Sequence, residues 1–297
     1  MPAVILPRLP RLALILTCIA LGQQRPEVAS GTTAAPEEQT QPAIKSLPPK
    51  EQAWSLLETG VKAEKAGDRS IAVRVLGLLP QNPKALELAE AALDDNHAEV
   101  RASAAAALGE IGSPSSIPAL KKRMDDDDPS VALVAARSLL SLKDESGYQV
   151  FYEVLTGERK AGKGLIAAEA SKISDPKKLA QLGLEEGIGF VPFAGIGWGA
   201  IKALTKDDTS PVRAAAAKML AHDPDPDTAK ILTDAAGDKN WLVRAASVEA
   251  LARRGDSSVL TAIELYLDDD KAEVRYTAAA AVLHLMDIRE AAAARKQ

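Results

Sequence analysis

The chain has 297 residues, a net charge of −5 and 46% hydrophobic residues, of which few are aromatic (3%). The acidic balance excludes long-range attraction of the whole chain to nucleic acid or to an anionic bilayer. Its apolar content, supplied largely by Ala, suits thin helix-pair layers and not one thick globular core, and the single cysteine, Cys18, excludes an intrachain disulfide and a multi-cysteine metal site.

Arg8 and Arg11 precede an uncharged run of 11 residues, Leu12 to Gly22, with Ala20 and Gly22 placed three and one residues before a cleavage after Gly22. That length fits a signal peptide (1–22) and falls well short of the roughly 20 residues that span a bilayer. The chain is therefore expected to be exported, periplasmic or extracellular. Lipoprotein anchoring through Cys18 is disfavoured, because Thr17 is a poor residue before a modified cysteine and Ile19 to Leu21 is too apolar for a tether. Residues 23–50 are rich in Pro, Thr, Gln, Ala and Glu; such a segment cannot bury enough surface to offset its ordering entropy and is expected to be a disordered linker.

From Glu51 to Lys65 a first helix is predicted, with Trp54, Leu57 and Val61 at helical spacing. Trp54 is expected to belong to a cover over the first open repeat face. A repeat then sets in. Val73, Val100, Val131, Val212, Val243 and Val274 each open an Ala-rich run, and Val100 to Val131, Val212 to Val243 and Val243 to Val274 are each 31 residues apart. Five residues before each Val stands Asp (Asp68, Asp95, Asp126, Asp207, Asp238, Asp269), expected to accept from the free N–H groups of the coming helix. One residue after comes Arg in five copies (Arg74, Arg101, Arg213, Arg244, Arg275), with Ala132 as the exception; four residues after, the side chain is small. Val and the small residue share a helix face, so neighbouring helices can approach closely there. Thirteen residues after the Val a second cap candidate appears (Ser113, Asp144, Asp225, Asp256), followed by a second apolar stretch. Each unit reads as two antiparallel helices, and the predicted fold is all-α, an α-solenoid of stacked helix pairs interrupted by a Gly-rich insertion.

The first block spans 51–158 and carries an aromatic group, Tyr148, Phe151 and Tyr152, expected to fill core where the solenoid changes direction. The insertion, 159–206, contains 15 uncharged residues from Gly187 to Ile201, including Phe190, Phe193 and Trp198, in which Gly and Pro192 oppose a regular helix. It is expected either to be a degenerate repeat packed on its neighbours, an exposed apolar loop for a partner protein, or a segment that dips into a membrane surface. The second block, 207–297, ends in a helix from Val274 to about Met286 and an Ala-rich tail.

The pattern Asp-x4-Val-Arg-x-x-Ala-x-x-Ala-Leu-Gly, as in Asp95, Val100, Arg101, Ala104, Ala107, Leu108 and Gly109, resembles the HEAT-like repeats of the phycobilisome-lyase type. That resemblance implies an α-solenoid that most often binds protein; it does not imply chemistry.

No catalytic, metal or cofactor set can be assembled from the sequence. His222 and His284 lie ten residues after their Val and two repeats apart, displaced by roughly 20 Å if each layer adds about one helix diameter, so they cannot share a metal; His97 stands elsewhere. Iron-binding hydroxylases with a similar fold carry repeated His-Glu pairs, which are missing here. Asp223, Asp225, Asp227 and Asp234 partly mimic a calcium loop, but Thr228 stands where Gly is required, and capping is the simpler role. The Asp and Arg residues of the repeats, notably Asp95, Arg101, Asp207, Arg213, Asp238, Arg244, Asp269 and Arg275, are expected to be structural. The resulting expectation is a monomeric, non-enzymatic, exported scaffold that binds a protein partner, with Tyr148, Tyr152, Phe190, Phe193 and Trp198 as candidate contacts and no nucleic acid. An alternative is a lyase-like or enzyme-accessory protein holding a small ligand near Tyr148, Tyr152 and Trp198. A third is membrane-surface contact through Phe190, Phe193 and Trp198.

Overall fold

The computed structural model describes residues 47–157 and 209–295. The expected contacts Phe190, Phe193 and Trp198, the repeat residue Asp207, and the expected signal segment all lie outside the described residues. Within them the chain is helical. The first block contains α1 (Pro49–Gly60), α2 (Ala66–Val75), α3 (Pro83–Ala92), α4 (Ala98–Ile111), α5 (Ile117–Arg123), α6 (Pro129–Ser141) and α7 (Gly147–Thr156). The second contains α8 (Ser210–Leu220), α9 (Asp227–Ala236), α10 (Trp241–Arg254), α11 (Leu260–Glu264) and α12 (Ala272–Ala294).

The even-numbered helices are the first helices of each pair, and they lie side by side in the order α8, α10, α12, α2, α4, α6. The chain's last helix thus sits between the two blocks, packed on α10 at one side and on α2 at the other. The first described helix, α1, packs on α12 and more lightly on α2, as the second helix of that layer would. One layer is therefore built from the first and last described helices. Lys50 Nζ on α1 donates to Glu290 Oε1 on α12 at 2.8 Å, which ties the pair at its rim.

This placement refines one expectation and corrects another. α1 packs more on the last helix than on α2, while its Trp54 faces the first repeat, with Lys84 Nζ of α3 4.4 Å from the ring centroid. The final helix continues to Ala294, well past Met286. It must be unusually apolar, since it has neighbours all round, and Val274, Tyr276, Leu283 and Leu285 together with every residue from Thr277 to Val282 are buried. Small side chains let the layers close. A Cβ on Gly60 would lie 2.7 Å from the Ala72 methyl and 2.8 Å from the Tyr276 ring, and one on Gly109 would lie 2.6 Å from Ser138 Oγ. Val100 and Ala104, Val131 and Ala135, and Val274 and Ala278 are each 1% exposed or less.

The repeat Asp does not cap its helix. Its carboxylate turns the loop three residues ahead of the helix, accepting from the backbone N–H two residues on: His97 for Asp95, Asp128 for Asp126, Asn240 for Asp238 and Lys271 for Asp269. Asp128 caps α6 and Asn240 caps α10, each accepting a first-turn N–H, and Asn82 caps the second helix α3; α4 and α12 have no side-chain cap. Both oxygens of the same carboxylate also receive the Arg of the preceding layer. Arg101 is bidentate on Asp126 (2.7 and 2.8 Å) and Arg244 on Asp269 (2.7 and 2.8 Å); Arg213 pairs with Asp238. The same arginines reach back to a loop carbonyl six residues earlier, as in Arg101 to Asp95 and Arg244 to Asp238.

In the first repeat that role belongs to Arg69, not to Arg74. Arg69 is the fourth residue of α2, as Arg101, Arg213, Arg244 and Arg275 are of their helices. It donates to both oxygens of Asp95 (2.8 and 3.0 Å) and to the carbonyl of Ala63. The first copy is therefore in a different register from the one Val73 suggests: Asp68 occupies the Val position and Ala72 the small one. Ala132 in α6 supplies no rung. The second-helix caps at Asp144, Asp225 and Asp256 each accept a backbone N–H, from Ser146, Asp227 and Ser258, whereas the Ser113 hydroxyl pairs with that of Ser115.

Candidate functional site: the charged inner face

Several first helices carry charged residues six and ten places after the Val position. Six places on stand Lys218 (α8), Glu249 (α10), Ala280 (α12) and Arg74 (α2); ten places on stand Arg253 (α10), His284 (α12) and Glu110 (α4). These charged side chains converge. Arg253 Nη2 lies 3.0 Å from Glu249 Oε1 and 3.0 Å from Glu110 Oε2, and Lys218 Nζ lies 3.3 Å from Glu249 Oε2.

The Arg253–Glu110 pair measures the curvature. Between α10 and α4 stand two other first helices, α12 and α2. At an axial spacing of about 8–10 Å, a straight array would hold α10 and α4 roughly 24–30 Å apart. Two side chains cannot bridge that gap, so the layers bend around these residues and the face is concave. Small residues allow the approach: Ala280 on α12 is fully buried, and a Cβ on Gly77, just after α2, would lie 2.9 Å from Glu110 Oε2.

The electrostatics are uneven. Burial pushes the Glu249 carboxyl up, but Lys218, Arg253 and Arg74 outweigh it and hold the group at about 2. Its side chain is only 17% exposed. Burial opposes the charge on Arg253 too, yet Glu249 and Glu110 raise its value. His284 is half-buried; burial lowers its pKa, with Arg253 adding to the effect and Asp287 opposing it, so the ring is neutral at pH 7. Three cations and two carboxylates leave the cluster with a net charge of about +1 by formal charges, against −5 for the chain.

Other expected residues lie elsewhere. Tyr148 (52% exposed), Phe151 and Tyr152 (63%) form with Leu155 an exposed apolar face of α7, so they do not fill core. Asp223 and Asp225 are used in turns: Asp223 accepts from Thr228 Oγ1 at 2.5 Å and Asp225 from the Asp227 N–H, while Arg254 donates to the carbonyls of Leu220, Asp223 and Asp225. His97 joins the Arg69–Asp95 rung, with Arg69 Nη2 at 3.1 Å from its Nδ1. An open hollow of about 410 Å³ on the loop edge is lined by residues including Asp94, Asp125, Asp127 and Arg123, and Arg123 already pairs with Asp94 at 2.6 Å. Among the described residues no group of three His, Cys, Asp or Glu side chains could hold a metal ion, and no helix is long and apolar enough to cross a membrane.

A sequence model of HEAT repeats matches residues 55–140 and 199–283. No curated protein matches the chain. Similar solved structures include human deoxyhypusine hydroxylase in complex with glycerol (19% identity, 82% of this chain and 92% of that chain, TM-score 0.30). The complex of CpcE and CpcF of phycocyanin lyase from Nostoc sp. PCC7120 is another (20% identity, 89% and 99%, TM-score 0.32). A third is an engineered protein, target OR329 of the Northeast Structural Genomics Consortium (16% identity, 80% and 97%, TM-score 0.28).

Proposed function

We propose that this chain, which belongs to the HEAT-repeat family, is an exported, non-catalytic scaffold that binds a protein partner on its concave face. The observation that carries this reading is the cluster joining Lys218, Glu249, Arg253 and Glu110 across both blocks. Polar groups held at fixed positions on a rigid, curved surface give register and specificity to a partner more than raw affinity. The reading of the chain as exported rests on the run Leu12 to Gly22 and its flanking Arg8 and Arg11.

The test has two parts. Amino-terminal sequencing of the protein from the exported fraction should begin at Gln23. Affinity capture from that fraction, followed by mass spectrometry, should yield a partner with the wild type and lose it with Glu110→Arg, whose side chain is 45% exposed in the wild type. An unchanged partner set with a folded Glu110→Arg protein would reject the concave face as the binding surface. Full-length protein retained in the cytoplasm would reject export.

A further inference from the structure

We infer that the array has one built-in hinge, at the boundary between α12 and α2, and that the Arg253–Glu110 pair latches it shut across the concave face. The hinge is a property of the fold and needs no partner; its use in admitting one rests on the proposed role of that face.

The six described first helices make five boundaries, and four of these carry the same charged rung: Arg213 on Asp238, Arg244 on Asp269, Arg69 on Asp95 and Arg101 on Asp126. The boundary from α12 to α2 does not. Arg275 keeps the bond to the carbonyl six residues earlier, donating Nη1 to Asp269 at 2.7 Å as Arg101 does to Asp95. In Arg101 and Arg244, Nε and Nη2 then hold the carboxylate of the next layer. Arg275 holds no such carboxylate among the described residues. The cause is one residue. The repeat Asp stands six places before the arginine of its layer, and six places before Arg69 stands Ala63, whose carbonyl accepts from Arg69 Nη1. The loop is otherwise alike: Lys65 before α2 is extended (φ −78°, ψ 126°), as are His97 before α4 and Lys271 before α12.

Packing is thinnest at the same boundary. α12 meets α2 more lightly than any other first helix meets its neighbour, and α1 stays with α12. The polar contacts that cross come from partly exposed side chains: Lys84 to Glu58 and over the Trp54 ring, Asn82 to Asp287 at 3.4 Å, and Arg253 to Glu110 at 3.0 Å. The last has the greatest leverage. It joins α10 to α4, each one layer removed from the boundary, so an outward swing parts its ends further than it parts α12 from α2. Its side chains are 38% and 45% exposed, which leaves the pair open to screening by salt. Bidentate rungs tie the layers on either side, so each block swings as a unit.

The test measures the bend in the full-length chain, with Cys18→Ser as background. Nitroxide labels at Ser141→Cys on α6 and Lys230→Cys on α9, both exposed, report the distance between blocks by pulsed electron resonance; Ser141→Cys with Glu87→Cys on α3 reports a distance within one block. The interblock distribution should be the broader. Glu110→Gln, or salt at about 1 M, should raise the proportion of long distances about two- to fivefold, the weight of one exposed ion pair. Ala63→Asp supplies the missing rung and should narrow the distribution towards the intrablock width; adding Arg275→Gln should undo that change. Melting curves and the intrablock distance show that each variant is folded. An interblock distribution as narrow as the intrablock one, or one that Ala63→Asp leaves unchanged, overturns the hinge. Indifference to both Glu110→Gln and salt overturns the latch. These outcomes are separable from failure of the scaffold reading, because no partner is present. A narrow distribution with partner capture that depends on Glu110 rejects only the hinge. A broad distribution governed by Ala63 and Glu110, with a partner set unchanged by Glu110→Arg, rejects only the proposed function.

Discussion

Glu249 offers the sharpest test of the inner face, because Lys218, Arg253 and Arg74 all act on its carboxylate. Glu249→Gln keeps the shape and hydrogen-bonding capacity of the side chain but removes its charge, leaving Lys218, Arg253 and Arg74 facing one another around it. The wild-type carboxyl is lowered from 4.5 to about 2. At 1.36 kcal/mol per pKa unit, that difference amounts to about 3 kcal/mol of stabilisation at neutral pH. For a domain of this size the loss corresponds to a melting temperature lower by about 6–12 °C. The sign with pH follows from linkage. A carboxyl whose folded pKa lies below its unfolded one stabilises the fold above the unfolded value, and that contribution fades as pH falls from about 4.5 to about 2. Urea titrations of both proteins at pH 7 and at stepped lower values check both points. The gap between wild type and Glu249→Gln should be widest at pH 7 and shrink through that window. Equal stability at pH 7, or a gap that does not narrow on acidification, would refute the convergence of cations on this carboxylate.

Other outcomes follow from the layer contacts. Arg244→Ala removes the bidentate partner of Asp269, whose side chain is 8% exposed; the stranded carboxylate should cost about 3 kcal/mol in denaturant melts, while partner capture should persist. Gly60→Ala places a methyl 2.7 Å from Ala72 and 2.8 Å from the Tyr276 ring, and the overpacking should cost about 1–3 kcal/mol by calorimetry. A protease site engineered between residues 158 and 208 and then cut should leave two fragments that co-elute under native conditions, because α12 packs on both α10 and α2.

The helical pairs were legible in the sequence because most layers share the same local rule: a Val on the packed face, a small residue one turn later, and an Asp and Arg at fixed offsets. The order of the layers was not. The contact between α1 and α12 joins residues 240 apart, as Lys50 and Glu290 show, and no periodicity encodes which helix will fill an open layer. The register of the first copy was obscured by a decoy. Val73-Arg74 imitates the repeat, but Arg69 stands at the helical position that reaches Asp95, and its neighbour Asp68 replaces the expected Val. The turn-forming use of the repeat Asp is hidden in the sequence for a related reason: an Asp close to a helix start has the same sequence signature whether it caps the helix or shapes the loop before it.

The inner face was still less visible. Glu110, Arg253 and Lys218 look in sequence like ordinary solvated helix residues, and His284 like an isolated histidine. Only the bend of the array gathers them. A partial signal was present in the offset of ten residues shared by His222 and His284, which Glu110 and Arg253 also occupy in their own repeats. Tyr148 and Tyr152 illustrate the converse. Their apolar character suggested core, but α7 belongs to an outer layer of the described array and leaves them exposed.

The claim beneath these statements is that the first and last helices of the described chain share a layer and so join the two repeat blocks. Carbodiimide cross-linking of the intact protein, which forms an amide only between an amine and a carboxylate already in contact, tests it directly. Peptide mapping by mass spectrometry should recover a link between Lys50 and Glu290, which stand 2.8 Å apart. Recovery of Lys50 linked only to carboxylates of its own block, with Glu290 unreacted towards it, would contradict the shared layer.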